Sequence, residues 1–345
     1  MRDQTIVIVT NEIDAHADAM LTHLQEQGHN VFRLHPHELA IHMESSVEIN
    51  STSQSVRLRN CINDRWLDIQ DIGAVWYRRP LPFQLPEHLS HDERMFARKE
   101  LSEYLRGLWL SMNCFWVDQP HLIRQADYKL EQLKRAKQFG FDIPRTMITN
   151  QPAKVREFYR ACSGQMIYKV LSTPSLMTEE RLMTRTDVET EQAQTEAPED
   201  LIVKTTLVGE DQMEVLETIR LTPSLFQEYV SKQHELRVTI IGNEVFAAEI
   251  HSQERPETSI DWRDYSVSIP YRRADLPPTV SDACLNFVKS YGLHYSAMDL
   301  IYTPDGRYVF LENNPSGQFL FVEHQIPELR MKDALSKCLI RGGLT

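Results

Sequence analysis

The sequence predicts an α/β protein of the α+β kind, built as three lobes. Three observations carry this. The chain has 345 residues, too many for one small core. Its first third alternates short apolar runs with segments of helical period. Its last third is dominated by strand-like runs joined by tight turns. With 41% hydrophobic and 25% charged residues it can bury a core, and it lacks the compositional bias of a disordered chain.

Residues 1–120 read as an open α/β lobe. "TIVIVT" is a first strand, "HADAMLTHLQEQG" a helix that Gly28 ends, and "HNVFRLH" a second strand. "SVEIN", "SVRLRN" and "RWLDIQ" alternate as a small meander, "GAVWYRRP" is a buried strand, "DERMFARKELSEYLRGLWLSM" a helix, and "NCFWVDQP" a strand closed by proline. Residues 121–220 form a central lobe. A helix carrying Lys129 stops at Gly140, Ile143-Pro144 leads into the strand "RTMITN", a helix follows near 152–162, and "QMIYKVL" is a strand. The acidic stretch "TDVETEQAQTEAPED" at 186–200 has the composition of a mobile loop or hairpin tip. Residues 221–345 hold "SLFQEYV", "HELRVTIIGNEVFAAEI", a helix around "SDACLNFVKSYGL", the strands "YSAMDLIYT" and "RYVFLEN", and a closing helix. No internal repeat is visible.

Bulk properties bound the function. No apolar run approaches the roughly 18 residues that span a bilayer. The start reads as a first strand and not as a secretory signal, so a soluble cytoplasmic protein with no membrane partner is expected. Cys61, Cys114, Cys162, Cys284 and Cys338 are scattered singly, which argues against a zinc site or a disulfide framework. A net charge of −12 disfavours nucleic acid and points to cationic peptides or metal-bound nucleotides.

The chemistry gathers in three places. In "YVFLENNPSGQFLF", Glu312 and Asn314 stand two apart on a strand and share a face. Asp299 ends a strand that pairs with theirs through the "TPDGR" turn, so three hard oxygen donors converge as Mg2+ requires. By themselves these residues read equally as a turn and a solvated strand end. Lys169 interrupts an apolar strand, where a buried ammonium needs an anion such as a phosphate, and Lys129 sits on a helix. Each also reads as a solvated lysine. In "SLFQEYVSKQHELRV", Gln227, Glu228, Tyr229 and Val230 offer polar groups to a base edge. Glu235 and Arg237 point the same way along a strand, a carboxylate for ribose hydroxyls and a guanidinium for a phosphoryl group, or else a surface ion pair.

The order lysine, lysine, "QEYV", "ExR", Asp, "ENN" over residues 129–314 resembles the ATP-grasp superfamily of carboxylate-amine ligases. The resemblance implies an ATP-grasp fold, in which an N-terminal pre-ATP-grasp lobe precedes central and C-terminal lobes that clamp ATP. It implies that Lys129 and Lys169 contact phosphates, that Gln227 to Val230 hold adenine, that Glu235 binds ribose and that Asp299, Glu312 and Asn314 bind magnesium. The absence of a Walker lysine loop disfavours a P-loop enzyme. "AVWYRRP", "AAEIHSQ", "SIDWRDY" and "LENNPSGQFLFVEHQ" narrow the resemblance to the microviridin-type peptide maturases, the graspetide macrocyclases, over most of the chain.

That family activates Asp or Glu side chains of a ribosomally made precursor as acyl phosphates, which a Ser or Thr hydroxyl or a Lys amine then attacks. The implied roles are Arg237 at the phosphoryl group and Arg263, His251 and Arg79 at the acyl phosphate or incoming carboxylate. Arg78 and Arg79 read equally as interlobe ion pairs, and His251 as a satisfied strand histidine. The resemblance further implies a homodimer and recognition of a leader peptide, with residues 186–217 as the expected docking segment. Two other readings remain open: an amino acid or glutamate ligase acting on a protein tail, and a nucleotide-binding regulatory module without turnover. Nothing in the sequence selects an ester over an amide product.

Overall fold

The computed structural model describes residues 4–172, 205–263 and 267–343. Strands β1 (Thr5–Val9), β2 (Val31–Leu34), β6 (Ile72–Tyr77) and β7 (Phe115–Val117) form a parallel sheet in the order β2-β1-β6-β7. β1 is buried along its whole length, as a strand covered on both faces must be. Helix α1 (Ala15–Glu26) starts at Asp14, whose side chain accepts from the His16 and Ala17 amides, and the chain turns out of it at Gly28 with φ +84°. Strands β3 (Met43–Ile49), β4 (Gln54–Asn60) and β5 (Arg65–Asp68) are the expected meander. Helix α2 (His91–Ser111) opens on a capping box in which Ser90 and Glu93 bond each other's backbone amides.

Helix α3 (Pro120–Ala126) and α4 (Lys129–Gln138) lead to the central sheet, β10 (Thr206–Leu207), β9 (Met166–Lys169), β11 (Ser224–Glu228) and β8 (Thr146–Thr149), with α5 (Pro152–Ala161) and the short α6 (Glu210–Glu214) beside it. The C-terminal sheet runs β14 (Tyr271–Arg273), β13 (Glu244–Ile250), β12 (His234–Ile241), β15 (Tyr295–Tyr302) and β16 (Tyr308–Asn314), backed by α7 (Pro278–Lys289). After α8 (Leu320–Gln325), the closing helix α9 (Met331–Gly342) returns to the first lobe and lies on β6 and β7.

The structure does not follow the sequence divisions at 120 and 220 strictly. β11 pairs with β8 and β9, so the central sheet runs on to Glu228. α4 packs instead on β16, because Leu133 and Ala136 join the apolar cluster of the C-terminal sheet.

The first lobe grips the loop after β16. Arg78, 3% exposed, lies beside Asp14 with Nε 3.5 Å from Oδ2, and its Nη1 donates to the Ser316 carbonyl. His16 Nε2 accepts from the amides of Phe319 and Leu320 at 3.0 and 3.1 Å. Burial, helped by Arg78, pushes the His16 pKa from 6.5 down to about 3, so the ring stays neutral and keeps the lone pair those amides need. Between pH 6.5 and about 3 the unfolded chain therefore binds a proton that the folded chain does not, and stability falls as pH falls through that window. Urea denaturation from pH 7 to 5 should show the wild type losing up to about 1.4 kcal/mol per pH unit more than His16→Asn, which can accept the same bonds without titrating.

Candidate active site

Asp299 on β15 stands directly opposite Glu312 on β16, and Leu311 is left unpaired as a bulge before Phe310 resumes the register. The bulge lets Phe310 stay fully buried while Glu312 and Asp299 share a face. On the other side of β15, Arg237 of β12 is in register with Asp299 and clamps it, Nη1 donating to Oδ1 at 2.8 Å and Oδ2 at 3.0 Å. The Asn314 amide adds a bond to Oδ2 at 3.0 Å, which leaves its own Oδ1 as an acceptor.

Two lysines from other parts of the chain reach the same carboxylate. Lys129, the first residue of α4, donates to Glu312 Oε2 at 3.1 Å, and Lys169, the last of β9, lies 3.9 Å from that oxygen. Gln132 fixes the first lysine in place. Its side chain accepts from the Asn313 amide at 3.0 Å and donates to the Asn313 carbonyl at 2.8 Å, as a neighbouring strand would.

The cleft between the central and C-terminal sheets is lined by Lys169, Glu235, Arg263, Asp299 and Glu312 on its polar side. Ile167, Ile260, Ile301 and Leu311 make an apolar slot beside them, the kind of wall that takes a planar base. Where β11 ends at this slot, the Glu228 and Tyr229 amides bond Arg145 and Gln165 carbonyls, and the backbone of Val230 has no partner among the described residues.

Asp299, Glu312 and Asn314 supply two carboxylates and an amide oxygen, a donor set that fits Mg2+. Lys129, Lys169, Arg237, Arg263 and Lys232 gather five cations at the cleft, a cluster that suits a polyphosphate in a chain that is acidic overall. Burial alone would raise Glu312, but Lys169 and Lys129 outweigh it and hold its carboxyl far below the usual range. Burial raises Asp299; Arg237 opposes the rise and the neighbouring Glu312 charge adds to it. Burial lowers Lys169, with Glu312 pulling the other way.

Comparison with known proteins decides what this arrangement belongs to. Residues 5–124 match the family described as the MvdD pre-ATP grasp domain. No curated protein matches the chain. Among solved structures, macrocyclase MdnC bound with precursor peptide MdnA from Microcystis aeruginosa MRC is 27% identical with a TM-score of 0.81, over 98% of this chain and all of that one. A RiPP-associated ATP-grasp ligase of Chryseobacterium gregarium, in complex with ADP and a leader and core peptide, is 26% identical with a TM-score of 0.83, over 98% and 97% of the two chains. These matches support a graspetide maturase. The chain is an ATP-grasp ligase, and macrocyclase MdnB from the same Microcystis strain is similar to it at 26% identity, a TM-score of 0.78 and coverage of 98% and 99%.

Within this ligase the sequence-predicted residues separate into those the fold brings together and those it does not. Lys129, Lys169, Arg237, Arg263, Asp299, Glu312 and Asn314 meet, and Tyr229, Val230 and Glu235 line the same cleft. Glu228 lines it too, but its carboxylate is turned to the Arg145 amide at 2.9 Å, so its side chain is not the group that meets a base edge. Gln227 is buried against Thr146, to which it donates at 3.0 Å, and does not reach the lining.

His251 lies on the wrong face. It packs on His234, ring centroids 5.4 Å apart, and bonds Glu249 at 2.9 Å; His234 and Glu235 are neighbours on β12 and point to opposite sides of the sheet. This is the satisfied strand histidine. Arg79 is exposed and donates to the Ser316 carbonyl at 3.1 Å, on the loop beyond the cleft, the interlobe alternative realised as a bond to backbone. Residues 186–200 lie outside the described residues, as does most of the expected docking segment.

The sequence reading missed Lys232, Ser252 and Asp261. Glu235, 4% exposed, is held by Lys232 Nζ and Ser252 Oγ together, and Lys232 also donates to the Ile260 carbonyl at 3.2 Å. Burial raises Glu235, against the pull of Lys232 and Ser252. Asp261 grips Arg263 through two side-chain bonds of 2.8 and 2.7 Å, and this outweighs the effect of burial so that the guanidinium is firmly charged. A lysine three residues before the "ExR" acid was the one signal available in the sequence.

Proposed function

We propose that the ligase is an ATP-dependent macrocyclase of a ribosomally made precursor peptide, activating Asp or Glu side chains and closing ω-ester or ω-amide rings with Ser, Thr or Lys of the same peptide. The observation that carries this is the convergence of Lys129 and Lys169 on a carboxylate in register with Asp299, a geometry that suits a metal-charged triphosphate. Adenine lies in the apolar slot against the backbone of residues 228–230, and Glu235 receives the ribose hydroxyls. Lys129 and Lys169 bind the phosphates, exchanging Glu312 for phosphate oxygens. Asp299, Glu312 and Asn314 hold Mg2+, whose contribution when bound is to neutralise charge on the transferring phosphoryl group.

Arg237 orients Asp299 and lies beside the same phosphoryl group. Arg263, locked by Asp261, stands in the cleft wall facing Glu312 and meets the peptide carboxylate, neutralising it as it attacks the γ-phosphorus and ADP departs. The acyl phosphate that results loses phosphate when the hydroxyl or amine attacks the carbonyl carbon. His251 is assigned no step. The leader docks on the central lobe, two copies of the ligase assemble as a homodimer, and the cytoplasm suits five free cysteines. No helix among the described residues is long and apolar enough to cross a membrane.

The test is ADP release with synthetic precursor peptides carrying Thr/Glu or Lys/Glu cores, followed by mass spectrometry. One water lost per ring and ADP formed only with peptide are expected. ADP formation that requires a free amino acid, with mass gained on a protein tail, would overturn the reading. Lys232→Met should raise the KM for ATP about tenfold with little change in kcat, because Glu235 then loses its cation and shares the ribose pocket as a misplaced acid.

A further inference from the structure

A cluster in the first lobe has no part in this chemistry. β1 ends at Val9 and β2 at Leu34, side by side in the parallel sheet, and the loops after them bring Glu12, His35 and Glu38 together. One ligand atom from each lies within 4.8 Å of the others. His35 Nδ1 is 3.4 Å from Glu38 Oε2, beyond the usual length of an N–H···O bond. It is the length of a tetrahedron's edge when the bonds to the central ion are about 2.0–2.1 Å, those of zinc to imidazole and carboxylate.

The polar accounting around His35 is incomplete as it stands. Its Nε2 is buried with no partner. If Nε2 carries the proton, a buried donor is unpaired and the Nδ1 lone pair faces a carboxylate; if Nδ1 carries it, one long bond is made and a buried acceptor is unpaired. A cation between Nδ1 and the carboxylates removes the lone-pair repulsion. His37, fully buried, bonds Glu12 Oε1 at 2.8 Å and holds that carboxylate in position, as outer-shell groups do at metal sites. Glu12 is exposed, which opens a path from solvent.

We propose that Glu12, His35 and Glu38 bind a zinc-type divalent ion through three protein ligands, with a fourth position open to water. The ion ties the β1–α1 loop to the turn after β2. Asn11, beside Glu12, bonds the Arg79 carbonyl at 2.6 Å, and the chain near Gln84 bonds the His37 carbonyl at 2.9 Å, so the tie reaches the segment that holds the Ser316 loop.

The probe is Zn2+ added to the metal-stripped protein, followed by gel filtration and metal analysis. The wild type should retain about one zinc per chain and unfold a few degrees higher with zinc than without. Asp299→Asn should retain the same zinc, which separates this site from the cleft. His35→Ala should retain none. Glu12→Gln, at an exposed position that leaves the fold intact, should bind at least tenfold more weakly. Co2+ in place of Zn2+ should give the strong visible absorption of a tetrahedral site in the wild type and lose it in both variants. Zinc retained equally by the wild type, His35→Ala and Glu12→Gln, or no zinc retained by the wild type, overturns the proposal.

Discussion

Asp299→Asn and Glu312→Gln should each lower peptide-dependent ADP formation by about 10³-fold while leaving the protein folded. Each substitution is isosteric, and in the structure each acid is surrounded by donors that an amide oxygen can still accept: Arg237 and Asn314 at Asp299, Lys129 at Glu312. What disappears is the negative charge that must hold Mg2+ against the phosphates, and loss of one preorganised electrostatic group of this kind costs about 10²–10³ in rate. Stopped assays of ADP with saturating precursor peptide, alongside circular dichroism, check this. Turnover within tenfold of wild type in either folded variant would remove that residue from the metal site.

Arg78→Ala should destabilise the ligase by about 3 kcal/mol, the cost of leaving a buried acid without its cation. Arg78 is 3% exposed, faces Asp14, and feeds the carbonyls of Ser316 and Gly317, so one deletion strands groups on two lobes at once. For a chain of this size the thermal midpoint should fall by several degrees. Catalysis should suffer as well, since the loop it holds follows Asn314 directly and has no spare room: a Cβ on Gly317 would sit 2.5 Å from that of Ala297 and 3.1 Å from Arg237 Nη2. Scanning calorimetry of Arg78→Ala and Arg78→Lys, the latter partly restoring the ion pair, measures it. An unchanged midpoint in Arg78→Ala would mean the first lobe does not hold this loop.

Much of the site was legible because its chemistry is carried by strands. Alternation put Glu235 with Arg237 and Glu312 with Asn314, and a hairpin turn put Asp299 across from Glu312; these follow from period and register alone. What was not legible depends on contacts that sequence separation hides. Asp261 and Arg263 sit in a loop with no period, and their mutual clamp is visible only when both are placed. Arg78 is one of two adjacent arginines, and only burial distinguishes the one that builds the lobe interface from its exposed neighbour. The place of His251 depends on which face of the hairpin His234 occupies, which the run "AAEIH" alone does not tell. β11 looked like the start of the last lobe by order along the chain, yet its hydrogen bonds go to strands more than fifty residues earlier.

The Gln132 clasp on Asn313 makes the two lysines mechanically unlike. One ammonium belongs to the C-terminal sheet: Lys129 heads the helix that Gln132 ties to β16, and stands 3.1 Å from Glu312. The other belongs to the central sheet, at the tip of β9, and stands 3.9 Å from the same carboxylate. A polyphosphate between the two sheets therefore meets one fixed cation from each of them, and bridging Lys129 to Lys169 ties the sheets to each other.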